Sequence, residues 1–551
     1  MRQHPKRTRG RGLLLPVVVV VVAIGATHSH ADTLQAINAL ADGDESARFE
    51  AARQLIDSSE AAIDERVGRA LKRRHFVNSP TALTAAGFVL WKRSGEPFPD
   101  TELETAAPDI VLISVDTLRP DRLGCFGHER PTSPAIDALA ARGALFRNAF
   151  SPAPWTLPTH MSIFTSLYPS FHKLERGGTS GNIRLDDSET TLPQLLQARG
   201  YATAAFVAHP FLAAAWGFDR GFDRYERHNA DAAEQSGRAV LWIEWRRFHA
   251  AQGVGPSSFF VFLHYIDPHE PYDPPERYRQ MFAAGYEGKL KPEDEFVSLY
   301  SDRDFDSPAD ARFVQDLYDG EIRYVDDELA RVFDAVRSTG GEGSTVFVLT
   351  SDHGEEFRDH GAMGHKHSLY PEELRVPLIL VDPRTIAAGQ RIEAPVSVLD
   401  ILPTLTSLAG AELPRNAQGL STLLWVKSKG GSAPAPVSST RYLFGELGPL
   451  GSDWERDFRM RSIRSGRYNL IFTFAADGTI RKELYDWRDE PAEKRDLYSE
   501  RREDPEVREL ERRLDTFIRE GLAYKPEAAE TNRIPLDEEL VDKLRALGYV
   551  E

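Results

Sequence analysis

A mostly parallel β-sheet sandwiched by helices, with a small antiparallel C-terminal subdomain, is the α/β fold this 551-residue sequence predicts. Three observations predict it. Short, nearly continuous apolar runs recur at residues 110–115, 202–207, 259–263, 346–349 and 377–381, as expected of strands buried on both faces. Segments of helical period separate these runs, which is the pattern of a sheet covered on both sides. After about residue 440 the texture shifts to two strand-like runs around Ser465-Gly466.

The chain opens on a targeting pattern. Arg2, Lys6, Arg7, Arg9 and Arg11 form a basic head, an apolar run covers residues 13–26, and Ser29-His30-Ala31 supplies small residues at cleavage spacing. Residues 1–31 read as a signal peptide, with a mature start near Asp32 and a periplasmic or secreted destination. The alternative is a retained anchor, but the run falls short of the ~20 residues that span a bilayer. Nothing later in the sequence is long and apolar enough, so no stable transmembrane segment is expected after cleavage.

Residues 32–105 read as helical, with amphipathic stretches at 34–40 and 49–56. The catalytic domain is placed at 107–435. Helices are expected there at 134–141, 191–199 and 313–337; in the last, Val314, Leu317, Ile322, Val325, Leu329, Val332 and Val336 keep helical spacing. A Gly/Ser/Pro-rich loop at 430–436 precedes a C-terminal subdomain at 436–525. That subdomain has strands at 459–464, 467–472 and 483–487 and a charged amphipathic helix near 505–520. Residues 526–551 form a tail, and there is no tandem repeat.

The formal net charge of −17 argues against a general nucleic-acid binder. It leaves room for an anionic substrate, because a few local cations suffice to hold one. Cys125 is the single cysteine, which excludes an intramolecular disulfide, and it reads as a small buried apolar residue.

Sites in open parallel sheets form beyond the carboxyl ends of the strands. Asp116-Thr117 follows the first run. The segment His264-Tyr265-Ile266-Asp267-Pro268-His269 follows the third, and Ser351-Asp352-His353-Gly354-Glu355 follows the fourth. Three strands deliver Asp or His to one edge, and that convergence points to a metal or phosphoryl-type site. Asp116, Asp352 and His353 suit a divalent cation; residue type alone does not choose among calcium, zinc, manganese and magnesium. In Ala153-Pro154-Trp155-Thr156-Leu157-Pro158-Thr159-His160, Pro158 fits the first turn of a helix running to about Leu167. Thr156 then stands just before a helix N-terminus, where free N–H groups and the dipole suit a tetrahedral anion. Its hydroxyl is a poor nucleophile until a base or metal activates it.

These segments resemble the sulfatase family of the alkaline-phosphatase-like superfamily. Residues 109–127 look like that family's opening strand and first metal ligand. Residues 132–140, with Gly143 and Phe146, look like its next helix. Thr156–His160 followed by Phe164-Thr165-Ser166-Leu167-Tyr168-Pro169 is similar to the nucleophile segment, and Asp267–Tyr272, Ser351–Gly354 and Lys366–Pro377 complete a series covering about residues 107–520. The resemblance implies one divalent metal ion held by Asp116, Asp352 and His353, with Thr156 as nucleophile completing the shell. It implies that His269 and Lys366 contact the transferred group or leaving oxygen, and His365 resembles a site histidine of phosphoethanolamine transferases.

The departures are informative. The family carries Cys or Ser at the nucleophile and oxidises it to formylglycine; threonine cannot give that aldehyde, because its Cβ bears a methyl group. His160 replaces the family's arginine and is taken, with His269 and Lys366, as a candidate to bind substrate, and Thr117 replaces a second aspartate. One fewer anionic ligand weakens calcium and strengthens zinc or manganese. The first expectation is therefore a metal-dependent hydrolase of sulfuric or phosphoric esters, acting through Thr156 on a small-molecule, glycan or lipid ester. A phospho-substituent transferase is the second reading, although the transmembrane bundle of the familiar ones is missing. A non-catalytic binding protein on the same fold is the third.

Overall fold

In the computed structural model the chain divides into two compact units, residues 1–97 and 98–551. The structure describes residues 30–58, 63, 66–67, 79–98, 107–174, 184–300, 303–431, 441–448, 459–475 and 477–525. Most of the targeting segment and the whole 526–551 tail lie outside them. No helix among the described residues is long and apolar enough to cross a membrane.

The first unit is helical. It holds α1 (His30–Asp42), α2 (Glu45–Asp57) and α3 (Pro80–Ser94). Asp44 caps α2 by accepting from the Ala47 N–H at 2.8 Å, which satisfies one donor the first turn leaves over. Ile37, Leu40, Phe49, Leu55 and Phe88 are buried here. Arg93 of α3 donates to the carbonyls of Leu55 and Ser58, closing the α2 C-terminus.

The second unit is built on one sheet. Its elements in chain order are β1 (Asp109–Val115), α4 (Pro134–Ala140), β2 (Ala144–Phe150), α5 (Thr156–Thr165), α6 (Leu192–Ala198), β3 (Ala202–Val207), β4 (Arg224–Arg227), α7 (Ala232–Ala251), β5 (Phe259–Tyr265), α8 (Pro308–Ser338) and β6 (Thr345–Thr350). A two-stranded ribbon of β7 (Glu356–Phe357) and β8 (Met363–Gly364) follows, then β9 (Arg375–Val381), β10 (Gln390–Ile392), β11 (Val396–Ser397) and α9 (Ile401–Ala409). The strand order is β10-β2-β9-β6-β1-β5-β3-β4, and β11 also pairs with β2. Strands β1, β3, β4, β5 and β6 are parallel, whereas β9 runs antiparallel to both β2 and β6. The sheet is thus mixed and mostly parallel.

Every side chain of β1 is buried, as its unbroken apolar run requires. The register matters most for function. Ser114 of β1 lies opposite His264 of β5 on one side and Thr350 of β6 on the other. The residues that follow these three positions therefore emerge along one sheet edge. At the opposite edge a buried ion pair locks the strand starts. Arg247 of α7 lies 2.5 Å from Asp109, whose other oxygen accepts from the Phe259 N–H at 3.0 Å. Arg247→Met is expected to cost about 3–5 kcal/mol in chemical denaturation, because it strands a buried carboxylate. The double variant with Asp109→Asn should recover a large part of that loss.

The C-terminal portion is antiparallel, with β12 (Leu443–Leu447), β13 (Arg459–Arg464), β14 (Tyr468–Phe474) and β15 (Ile480–Asp486) in sequential order. Helix α10 (Pro505–Ala523) covers it and buries Val507, Leu510, Leu514 and Phe517 against Ile463, Leu470 and Leu484. Tyr168 and Phe171, which follow α5, join the same cluster and fasten this sheet to the catalytic one.

Candidate active site

Asp116 follows β1 directly, and Asp352 and His353 follow β6 after Ser351. Thr156 is the first residue of α5 rather than the residue before it, so Pro158 sits third in the helix. All four are fully buried. The His353 Nδ1 lies 2.9 Å from the Gly354 carbonyl, which can only accept; Nδ1 therefore carries the proton and Nε2 keeps its lone pair. That Nε2 faces three oxygens: Asp116 Oδ1 at 3.5 Å, Asp352 Oδ2 at 3.4 Å and Thr156 Oγ1 at 3.4 Å.

These spacings are a test of fit for a cation. Ligand atoms 2.0–2.2 Å from a tetrahedral ion stand about 3.4 Å from one another. Both oxygens of Asp116 and Oδ2 of Asp352 are buried and lack a hydrogen-bond partner. Burial first, and then the neighbouring carboxylates of Asp352 and Glu355, push the Asp116 pKa well above the ordinary carboxylate range. Burial also raises Asp352. Three buried carboxyl oxygens without a partner, beside an imidazole lone pair, are a costly arrangement unless a cation joins them; only Asp352 Oδ1 is answered, by the His353 N–H at 3.0 Å. Asp116, Asp352 and His353 form one group of suitable metal ligands, and the residues present fit such an ion.

The turns that hold this geometry are strained. Thr117 has φ 55° and Lys366 has φ 74°, a left-handed region that costs a β-branched or long residue free energy. The Thr117 turn is tied down on three sides. Tyr318 Oη donates to the Thr117 carbonyl at 2.6 Å and accepts from the Arg119 N–H, and Ser351 Oγ accepts from the Leu118 N–H.

Around the core stand the other residues singled out in the sequence. His365 lies beside His353, with ring centroids 4.3 Å apart, and His269 lies 5.1 Å from His365. The His269 Nδ1 donates to the Glu270 carbonyl at 2.7 Å, and burial lowers its pKa to about 3, so it is neutral. Lys366 is also perturbed. Burial lowers its pKa to about 8, against the opposing pull of Glu355 and Asp116. His160 sits one turn along α5 from Thr156. Its Nδ1 donates to the Thr156 carbonyl at 2.9 Å, so Nε2 must accept from Ser114 Oγ at 3.0 Å. The protein itself engages both ring nitrogens, which places His160 under the nucleophile as a brace.

Two further residues belong here that the sequence did not single out. Glu355 Oε1 lies 2.9 Å from His365 Nδ1, leaving the buried Nε2 of His365 without a partner. His264, the penultimate residue of β5, puts Nε2 3.4 Å from Asp116 Oδ2. It also lies close to His160 and Asp352, but both His160 nitrogens are already engaged by Thr156 and Ser114, so His160 has no lone pair for a metal. Both residues sit inside quoted segments, but only strand register shows which way they face.

The sulfatase family profile matches residues 108–411, more than half of the chain. The chain belongs to the sulfatase family. Its last part, residues 359–520, also matches the C-terminal region of N-sulphoglucosamine sulphohydrolase. With the family goes the activity class, an ester-bond hydrolase. Among sulfatase relatives, the uncharacterized sulfatase YidJ of Escherichia coli is 24% identical over 437 residues, covering 71% of this chain and 83% of its own. N-acetylglucosamine-6-O-sulfatase of Bacteroides thetaiotaomicron is 22% identical over 519 residues, covering 80% and 91%. Two solved structures share the sulfatase fold. One is a protein in complex with its substrate D-glucosamine-2-N,6-O-disulfate, with a TM-score of 0.62, 20% identity and coverage of 77% of this chain and 100% of that one. The other is phosphonate monoester hydrolase of Agrobacterium radiobacter, at 0.61, 21%, 75% and 96%.

Proposed function

We propose that this protein is an exported, metal-dependent hydrolase of sulfate or phosphate esters in which Thr156 is the nucleophile. The observation that carries the reading is the placement of Thr156 Oγ1, 3.4 Å from the unprotonated nitrogen of His353 and within the same ring of donors as Asp116 and Asp352. Export rests on the basic head and apolar run at the N-terminus. The substrate class, a sugar or other small ester, rests on relatives that act on sulfated sugars and on a phosphonate monoester hydrolase of the same fold.

Asp116, Asp352, His353 and Thr156 would hold the ion. When bound, a divalent cation lowers the pKa of a ligated hydroxyl and neutralises charge on the transferred group. The chain's own groups supply the rest. Thr156 gives up its proton to a basic group of the site and its Oγ1 forms a bond to sulfur or phosphorus, while the bond from that atom to the ester oxygen breaks and the departing alkoxide takes up one proton, leaving as the alcohol. In the first turn of α5 Pro158 has no N–H and the Thr159 N–H donates to the Trp155 carbonyl, which leaves the N–H groups of Thr156 and Leu157 at the helix start for the anion. His365, held by Glu355, and Lys366 stand where a proton can reach the departing alkoxide. Water then cleaves the threonine ester, returning the hydroxyl and releasing sulfate or phosphate. A threonine side chain has no geminal diol route, so this second hydrolysis is required.

The test is a panel of aryl sulfates, phosphate mono- and diesters and phosphonates with calcium, magnesium, manganese and zinc. Hydrolysis of at least one class, with a covalent adduct on Thr156 trapped by mass spectrometry, supports the reading. Turnover without any adduct, or turnover only when an alcohol acceptor is added, refutes it.

The proton role has its own signature. His365→Ala should lower kcat about 10²–10⁴-fold for alkyl esters, the usual worth of general acid catalysis. The loss should be much smaller for p-nitrophenyl esters, whose leaving group departs without a proton. Glu355→Gln should show the same selectivity in weaker form.

A further inference from the structure

Away from the reaction centre, a cavity of about 200 Å³ lies where the ends of β2 and β9 meet the C-terminal sheet. Four guanidinium groups line it, those of Arg147, Arg375, Arg464 and Arg488, against the two carboxylates of Glu393 and Glu493. The chain as a whole carries −17, so this local excess of positive charge runs against its background.

The two carboxylates answer two of the four cations. Arg147 Nε stands 3.3 Å from Glu393, and Arg464 Nη1 bonds Glu493. Glu493 is fixed in turn by Asn469, whose amide donates to it at 2.8 Å. The other two guanidiniums meet backbone carbonyls. Arg375 donates through Nε and Nη2 to the Arg147 carbonyl, and Arg488 donates through Nε to the Gly466 carbonyl. Arg464 is the decisive member. It is 4% exposed, its guanidinium lies 4.3 Å over the Phe150 ring, and its Nη2 has no hydrogen-bond partner. Burial, and the like charges of Arg147 and Arg464, hold the Arg375 pKa below its ordinary value; burial also lowers Arg488.

An arginine does not shed its proton to escape this situation. A buried guanidinium with an unanswered N–H is stabilised by an anion, and its planar fork matches an oxyanion in a bidentate manner. The volume is below the roughly 300–1,000 Å³ of pockets that enclose a whole small molecule. A single charged group fits it better than a glycan chain does.

We propose that this cavity binds a tetrahedral oxyanion, sulfate or phosphate, at the junction of the catalytic and C-terminal sheets. Two sources share that chemistry: the free inorganic ion, and an ester group carried on an organic molecule. This site is distinct from the one around Thr156 and does not depend on it.

The test uses the full chain with EDTA present, so that the cation-dependent centre does not contribute. Inorganic phosphate and inorganic sulfate are titrated calorimetrically, and phenyl phosphate and phenyl sulfate in parallel. The expected result is one oxyanion per chain with millimolar or tighter affinity. Comparable binding by the inorganic ions assigns the site to the free ion; binding by the phenyl esters alone assigns it to a substituent. Arg464→Met should abolish binding, but it also unseats Glu493. Arg147→Met and Arg488→Met, at more exposed positions, therefore carry the test. Each should weaken binding at least tenfold, equivalent to 1.4 kcal/mol. The proposal is overturned if no probe binds at millimolar concentration, or if both of these variants keep wild-type affinity.

Discussion

Thr156→Ala is expected to lower kcat/KM by roughly 10⁴–10⁶-fold, the scale seen when a nucleophile is removed from a centre whose other parts remain. The geometry explains why the loss should be so large. Thr156 Oγ1, Asp116 Oδ1 and Asp352 Oδ2 all face the same nitrogen, His353 Nε2, at 3.4–3.5 Å. Thr156→Ser is the controlling variant. It keeps the oxygen and removes a methyl group from a fully buried position, so activity should survive within about tenfold, with a modest stability loss of roughly 1 kcal/mol. Steady-state kinetics on whichever ester the panel selects decides the matter. A Thr156→Ala protein that turns over at near wild-type rate would remove the threonine from the chemistry and leave the donor ring without its proposed purpose. Folding is not the confounding factor, because the Thr156 Oγ1 contact with His353 Nε2 is long, at 3.4 Å, and alanine strands little by losing it.

What could be read from the sequence follows from where each residue sits relative to a strand end. Asp116, Asp352 and His353 come just after apolar runs, so a rule about strand termini finds them without coordinates. Thr156 and His160 were legible through Pro158, which marks a helix start, although the helix begins one residue earlier than that rule suggests. His264 was not, because it lies inside β5, where a single polar residue in FFVFLHY gives no sign of the face it takes. Only the pairing of Ser114 with His264 shows that it points at Asp116. Glu355 needed a contact across the β7–β8 ribbon. Strand β2 was missed because Arg147 and Asn148 interrupt its apolar run at the bulge against β9. Helix α7 was missed for a related reason: Glu244, Arg246, Arg247 and His249 are buried within it, which erases the helical periodicity. In both elements polar side chains bond distant partners, Asn148 the Glu393 carbonyl and Arg247 the Asp109 carboxylate and the Thr339 carbonyl, information that no local window contains.

The donor ring also sets up an opposition between stability and function. Asp116 and Asp352 have pKa values raised by burial. A carboxyl whose folded pKa exceeds its unfolded value stabilises the fold below the unfolded pKa, and that stabilisation is lost as pH rises through the folded value. Metal-free protein should therefore be weakened as pH climbs above the ordinary carboxylate range near 4, and the deficit should persist at neutral pH. A bound cation reverses this by answering both charges, and it adds stability in proportion to its occupancy. Thermal unfolding with and without EDTA should accordingly give a larger difference at pH 7.5 than at pH 4.5. Asp352→Asn separates the two effects. It removes one buried negative charge, so the EDTA-treated variant should be more stable than EDTA-treated wild type by on the order of 1–3 kcal/mol. The same change should abolish metal binding and activity together, since it deletes the oxygen 3.4 Å from His353 Nε2 as an anionic ligand. A variant that keeps its metal, or that loses stability under EDTA as much as under metal, would mean that Asp352 is held by protein hydrogen bonds alone. The strained, uncompensated charge at this sheet edge would then need another explanation than a cation.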